Sequence, residues 1–260
     1  MRTCFAIVLW LVCSAGLCQT LPVGRTQNAG AYPEPEAAAA WRSVAAGYVR
    51  KAMKDRKLNT DPALNARVDA VVAGVGAALA AVDPRFSGAV WNVILIEEFG
   101  HGAAAFPGET ILADAKFIRS LNLTDDELAL VFSHEMAHVV AGHAYEKLSF
   151  MAETLGRDKA PTARTALLEF FASDSYAEAF QPVARLQERE ADRIGAAILF
   201  ASAYDARRAL TLFDKLAAVE ERGAREAMGT HDAAMTRKQC VSAVLADLLN
   251  AAARRNPRLR

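Results

Sequence analysis

Apolar residues recur three and four apart through most of the chain, and the run typical of a strand is confined to one short region. Trp41, Val44, Ala45, Tyr48 and Val49 mark one side of a helix predicted from Glu36 to about Leu58. Asn59-Thr-Asp61-Pro62 stops that helix and starts another, with Asp61 as the cap and Pro62 in the first turn, where no backbone N–H is needed. This second helix runs to about Val82, ahead of Asp83-Pro84. Ala89 to Phe99 then breaks the helical period. It is aromatic and β-branched, bounded by Ser87-Gly88 and Gly100, and reads as a strand. Ala103 to Phe106, Pro107-Gly108 and Thr110 to Ala113 follow as a short hairpin.

The next helix is the best signalled element. Thr124 and Glu127 form an S/T-x-x-E capping box, and Asp125 and Asp126 complement the positive end of the helix. Leu128, Val131, Phe132, Met136, Val139 and Val140 predict one buried helix from Thr124 to about Leu155. Gly156 to Pro161 is a break. A helical segment with Leu167, Leu168, Phe170 and Phe171 follows and is read as core packing, with a cover over the preceding helix or a membrane contact as the alternatives. Pro182 opens a helix to about Ala203, and Ala206 to Arg222 and Arg237 to Arg254 supply two more. The pattern predicts an α+β fold, mainly helical, with a small β-sheet beside the helix that starts at Thr124.

The chain has 260 residues, enough for one domain with a substantial core. Arg2 and the apolar run Phe5 to Leu17, followed by Ser14, Ala15, Gly16 and Cys18 near its end, read as a signal peptide over 1–19. A linker over 20–35 and a single domain over 36–255 complete the division, and the mature chain is expected to be exported and periplasmic. A membrane anchor is the rival, but the run is short for a bilayer. Lipid attachment at Cys18 is another alternative, against which the bulky Leu17 stands. No further uninterrupted apolar run predicts a transmembrane helix. Cys240 is left as the one cysteine outside the leader, expected to be a small buried residue without a disulfide. Lysine plus arginine equals aspartate plus glutamate at 30 each, so nucleic acid is not an expected partner.

Within the capped helix lies His134-Glu135-Met136-Ala137-His138, the pattern H-E-x-x-H. Two residues four apart on a helix sit about 40° apart on one face, so His134 and His138 can hold one metal ion together, with Glu135 beside them as general base on an activated water. A buried helix with two histidines and a glutamate needs a partner for those polar groups, and a metal is the simplest one. The bland alternative is an amphipathic helix with two fortuitous histidines.

A catalytic zinc site uses three protein ligands and keeps a fourth position open. His143 lies about 140° from His138 on a continuous helix, which makes it a structural or surface residue. In Arg185-Leu-Gln-Glu188-Arg-Glu190-Ala-Asp192, Glu188 and Asp192 share a face. Glu188 is the candidate third ligand, and Asp192 the acceptor for the outer N–H of a liganding histidine. Glu190 points about 200° away from Glu188 and is expected to be exposed or paired with an arginine. Read alone, the segment is a salt-bridged solvent face.

H-E-x-x-H followed by Glu188-Arg-Glu-Ala-Asp192 resembles the zinc metallopeptidases related to HtpX and the CAAX prenyl endopeptidases, peptidase family M48, and is most similar to their soluble exported members. The resemblance implies a single gluzincin-type domain, one zinc ion per chain held by His134, His138 and Glu188, Glu135 as the catalytic base and Asp192 supporting the site. Ala103-Ala104-Ala105-Phe106-Pro-Gly108-Glu109-Thr-Ile111 is similar to the family's N-A-F-x-x-P-G-G-x-I strand, which would pair with substrate backbone. Here the asparagine is lost and Glu109 replaces the second glycine. Thr230-His231 with Arg237 is similar to a T-H-P…R motif whose histidine approaches the zinc in some members, making His231 a catalytic candidate against a plain loop histidine; Asp232 replaces the proline.

The expected activity is endoproteolysis of extended or misfolded envelope polypeptides, with His231 or Arg237 as candidate oxyanion donors. A peripheral membrane or outer-membrane assembly contact is a further expectation. The alternatives are a chaperone that binds extended chains in the same cleft and a structural zinc protein. An intact Glu135 speaks against the first, and the scarcity of cysteines against the second.

Overall fold

The structure is a computed structural model that describes residues 31–156, 158–221 and 231–255. The expected leader, most of the linker, Cys18 and Thr230 lie outside the described residues. The element order is α1 (Glu34–Lys54), α2 (Pro62–Val82), a short 3-10 turn, β1 (Asn92–Ile96), β2 (Ala103–Phe106), β3 (Thr110–Asp114), α3 (Ala115–Ser120), α4 (Asp125–Ala141), α5 (His143–Leu155), α6 (Ala163–Ala172), α7 (Asp174–Ala201), α8 (Ala206–Ala209), α9 (Thr211–Glu221) and α10 (Ala234–Arg255). The fold is mainly helical with one small sheet, as the hydrophobic pattern predicts.

The three strands lie in the order β1-β3-β2. β3 pairs parallel with β1 and antiparallel with β2, so β2 forms one edge of the sheet. Alternation along the strands divides two cores. Leu95, Ile111 and Ala113 join a cluster built on α2, α4, the C-terminal half of α7, α9 and α10. Ile96, Phe106 and Leu112 face a second cluster formed by α1, α5, α6 and the start of α7. α7 passes from the second cluster into the first, where it packs on α4.

Several boundaries differ from the pattern reading. The single helix expected from Thr124 to Leu155 is two helices, because Gly142 adopts the left-handed conformation (φ 73°) and ends α4. α7 begins at Asp174 and passes through Pro182 instead of starting there. The strand read from Ala89 to Phe99 is only five residues long. α2 is long and apolar enough to cross a membrane by length and composition. Its Val68, Val71, Val72, Val75 and Leu79 nevertheless sit in the first core. On α6, Leu167 and Phe170 are buried as expected, while Leu168 and Phe171 are exposed. Cys240 is half-buried and disulfide-bonded, against the expectation of a lone thiol; the other cysteines lie outside the described residues.

Candidate metal centre

α4 is fixed at its start by the capping box read from the sequence. Thr124 Oγ1 accepts from the Glu127 N–H, and Glu127 Oε2 accepts from the Thr124 N–H at 2.7 Å. The buried Glu127 also takes hydrogen bonds from Thr211 and Lys215, tying the start of α4 to α9. Two turns on, His134 and His138 present their Nε2 atoms to one point, 3.1 Å apart. Glu135 turns to the sheet, where its Oε2 accepts the Ala105 N–H at 3.0 Å.

α7 crosses α4 and supplies the acids. Glu188 Oε2 lies 3.2 Å from His134 Nε2, and Glu188 Oε1 lies 3.7 Å from His138 Nε2. His231 Nε2 stands 2.7 Å from Glu188 Oε2. Donor atoms of His134, Glu188 and His231 all lie within 4.8 Å of one another.

This arrangement fits a metal ion. Ligand atoms about 2.0–2.1 Å from a tetrahedral zinc are roughly 3.3 Å apart, close to the separations among His134, His138 and Glu188. Glu188 Oε2 is buried, with the ring nitrogens of His134 and His231 3.2 and 2.7 Å away. Donor atoms that converge on one buried point are well satisfied by a cation. Imidazole nitrogens with one carboxylate are also the donor set zinc favours.

Electrostatics sharpen the picture. Burial pushes the His134 imidazole down, but the hydrogen-bonded Asp192 and Glu188 carboxylates outweigh it and raise its pKa to about 10. Burial would raise the Glu188 carboxyl, yet His138, His134 and His231 hold it well below its ordinary value. Asp192 is likewise buried but held low by Arg237 and His134.

Asp192 accepts from His134 Nδ1 at 3.0 Å, the contact expected of it. Arg237 closes on the same carboxylate through two hydrogen bonds of 2.7 and 2.9 Å, and its guanidinium covers the Phe213 ring. Arg237 is thus committed to Asp192 and is not a free oxyanion donor, in contrast to the sequence expectation.

The break at Gly142 changes the roles of two more residues. A continuous helix would turn His143 away, but as the first residue of α5 it swings back against His138, with the two Nδ1 atoms 2.8 Å apart. It is buried, not on the surface. Burial pushes its pKa down. Glu190, expected at the surface or on an arginine, is buried and lies 3.4 Å from His143 Nε2. The legible signal was Gly142 itself, a helix-ending residue directly after an apolar run.

Of the four residues read as substrate-binding, alternation along an antiparallel strand turns the backbone of Ala103 and Ala105 one way and that of Ala104 and Phe106 the other. Ala105 faces Glu135, so Ala103 and Ala105 present backbone to the cleft. Ala104 and Phe106 face β3, and the Phe106 side chain is buried against Trp41. The Ala103 N–H is taken by the His101 carbonyl. Beyond this end of β2 lies a cavity of about 280 Å³ that reaches His134 and Glu135 and is walled by Phe117, Leu121, Leu130, Val131, Phe213 and Leu216 among others.

A capped H-E-x-x-H helix, crossed by a helix bearing a glutamate and flanked by an edge strand, defines a metallopeptidase-type site. The model of Peptidase family M48 matches residues 62–244, and the chain belongs to that family of metallopeptidases. No curated protein sequence matches the chain. α1 precedes the matched segment, yet its Trp41 is built into the second core.

Proposed function

We propose that the chain is a zinc-dependent endopeptidase that takes its substrate as an extended strand along β2. One observation carries the reading: Glu135 stands between the converging donors and the edge strand, bonded to the Ala105 N–H. A base held there faces both an activated water and the backbone of a polypeptide laid on that edge.

His134, His138 and Glu188 would hold the zinc ion, which when bound supplies Lewis-acid polarisation of a scissile carbonyl and a more acidic water. Glu135 takes one proton from the attacking water and passes it to the departing amine, so that the C–N bond breaks as the C–O bond forms. Asp192, clamped by Arg237, holds His134 in the tautomer that leaves Nε2 free. The carbonyls of Ala103 and Ala105 align the substrate backbone. Recognition through backbone hydrogen bonds suits any extended chain, which supports misfolded proteins as substrates. The leader-like pattern over 1–19 supports export and envelope proteins as the substrate pool.

The test measures zinc content and casein cleavage in parallel for the wild-type chain, Glu135→Gln and Glu188→Gln. The expected result is one zinc per chain with cleavage in wild type, zinc without cleavage in Glu135→Gln, and loss of both in Glu188→Gln. Zinc without cleavage in the wild type would favour the binding-only alternative, and full zinc retention in Glu188→Gln would overturn the ligand set.

A further inference from the structure

His138 Nδ1 and His143 Nδ1 face each other at 2.8 Å, with the two rings 72° apart. At that distance the pair shares one hydrogen: two lone pairs or two N–H groups would repel. Behind His143 stands the Glu190 carboxylate, which can only accept, 3.4 Å from Nε2. The hydrogen of a neutral His143 is therefore on Nε2, and its Nδ1 is an acceptor. His138 must then carry its own hydrogen on Nδ1. That leaves a lone pair on His138 Nε2, the atom aimed at His134 and Glu188.

We propose that Glu190 and His143 form a positioning relay that fixes the tautomer and tilt of His138 for metal binding. The relay rests on the metal reading given above. It parallels the direct contact of Asp192 with His134, so α7 provides a candidate ligand, Glu188, and through Glu190 and Asp192 orients both histidines of α4. His143 is 4% and Glu190 6% exposed, so water does not compete for these contacts.

Long-range ¹H–¹⁵N spectra of the zinc-loaded wild-type chain, labelled at histidine, read the tautomers directly. The expected pattern is protonated Nδ1 and zinc-bound Nε2 in His138, with protonated Nε2 and bare Nδ1 in His143. A proton on His143 Nδ1 overturns the relay. Zinc affinity by chelator competition supplies a second readout. His143→Phe should weaken binding about 10–100-fold, and His143→Asn, whose Oδ1 can accept where Nδ1 does, should restore most of it. Glu190→Gln should weaken binding in the same direction and replaces His143→Phe if that variant does not fold. Unchanged affinity in a folded His143→Phe or in Glu190→Gln overturns the relay while leaving the metal site standing. A wild-type chain that takes up no zinc overturns the metal reading itself.

Discussion

Gly195 of α7 rests against the backbone of His134 in α4. A β-carbon at position 195 would come within 3.0 Å of both the His134 N and Cα. Because the obstructing atoms are backbone, neither helix can yield without moving the site. The same crossing sets Glu188 and Asp192 against His134. Gly195→Ala is therefore expected to destabilise the chain by about 1–3 kcal/mol through overpacking and to weaken zinc binding. At an uncrowded helix position the same change would stabilise by up to about 1 kcal/mol, so the sign decides. Urea unfolding with chelator competition checks it; a stabilised variant with unchanged zinc affinity would contradict the packing argument.

Much of this site was legible because its signals are local. The Thr124–Glu127 box, the four-residue spacing of His134 and His138, and the shared face of Glu188 and Asp192 all depend on one helix at a time. The hairpin was legible for the same reason, with Pro107-Gly108 between two short apolar runs. What failed was anything that crosses a break. The apolar spacing continues through Val139 and Val140 and so predicts a helix past Gly142, which hides the return of His143 to His138. Pro182 has the signature of a helix start, whereas α7 accommodates it within the helix. The commitment of Arg237 to Asp192 joins α10 to α7, and no spacing rule reports a contact between helices that distant in sequence.

Zinc uptake should release a proton. The pKa of about 10 at His134, set against the ordinary 6.5, means that the chelator-treated chain keeps this imidazole protonated at neutral pH. Binding removes that proton, so zinc affinity should rise by up to about tenfold per pH unit until pH approaches 10. Calorimetry at pH 7 in buffers of differing ionisation enthalpy should give about one proton released per zinc. Stability of the chelator-treated chain follows the same signs. A raised imidazole contributes stability that is fully present below 6.5 and is lost as pH rises through about 10. The lowered Glu188 carboxyl contributes above its ordinary 4.5 and loses that contribution as pH falls through its depressed value. The depressed His143 imidazole contributes above its ordinary 6.5 and loses that contribution as pH falls below it, so stability should peak near pH 6.5, and a maximum above pH 8 in urea unfolding would contradict it.

The cavity beside β2 should set side-chain preference. Phe117, Leu121, Leu130 and Leu216 give it apolar walls; of its charged groups, Asp192 and Arg237 neutralise each other, Asp114 is held by the N–H groups that start α3, and Glu135 is the base. Peptides carrying a large apolar residue next to the scissile bond should be cleaved preferentially, and replacing that residue with alanine should lower kcat/KM by about 10–200-fold. Val131 is half-buried at the cavity wall. Val131→Phe should fill the space and move the preference towards small residues without changing zinc content. A peptide library read by mass spectrometry checks both, and an unaltered profile in Val131→Phe would assign the preference elsewhere.

His231 should restrain the enzyme as it stands here. Its Nε2 approaches Glu188 Oε2 at 2.7 Å and shares one 4.8 Å cluster of donors with His134 and Glu188, beside His138 Nε2 at 3.1 Å from His134 Nε2, so His231 can add a fourth protein ligand. A catalytic zinc needs a position open to water and substrate, whereas four protein ligands make a closed site. Asp232 holds His231 in this place, since its carboxylate receives two hydrogen bonds from Arg189 on α7, at 2.7 and 3.1 Å. His231→Ala is accordingly expected to keep zinc and cleave casein several-fold faster than wild type. Arg189→Ala should act in the same direction but less, because a partly exposed ion pair contributes only about 0.2–1 kcal/mol. Added salt should weaken that ion pair and speed the wild type more than Arg189→Ala. Initial rates of the three proteins at two ionic strengths decide the matter, and slower cleavage by zinc-loaded His231→Ala would return His231 to a direct part in catalysis.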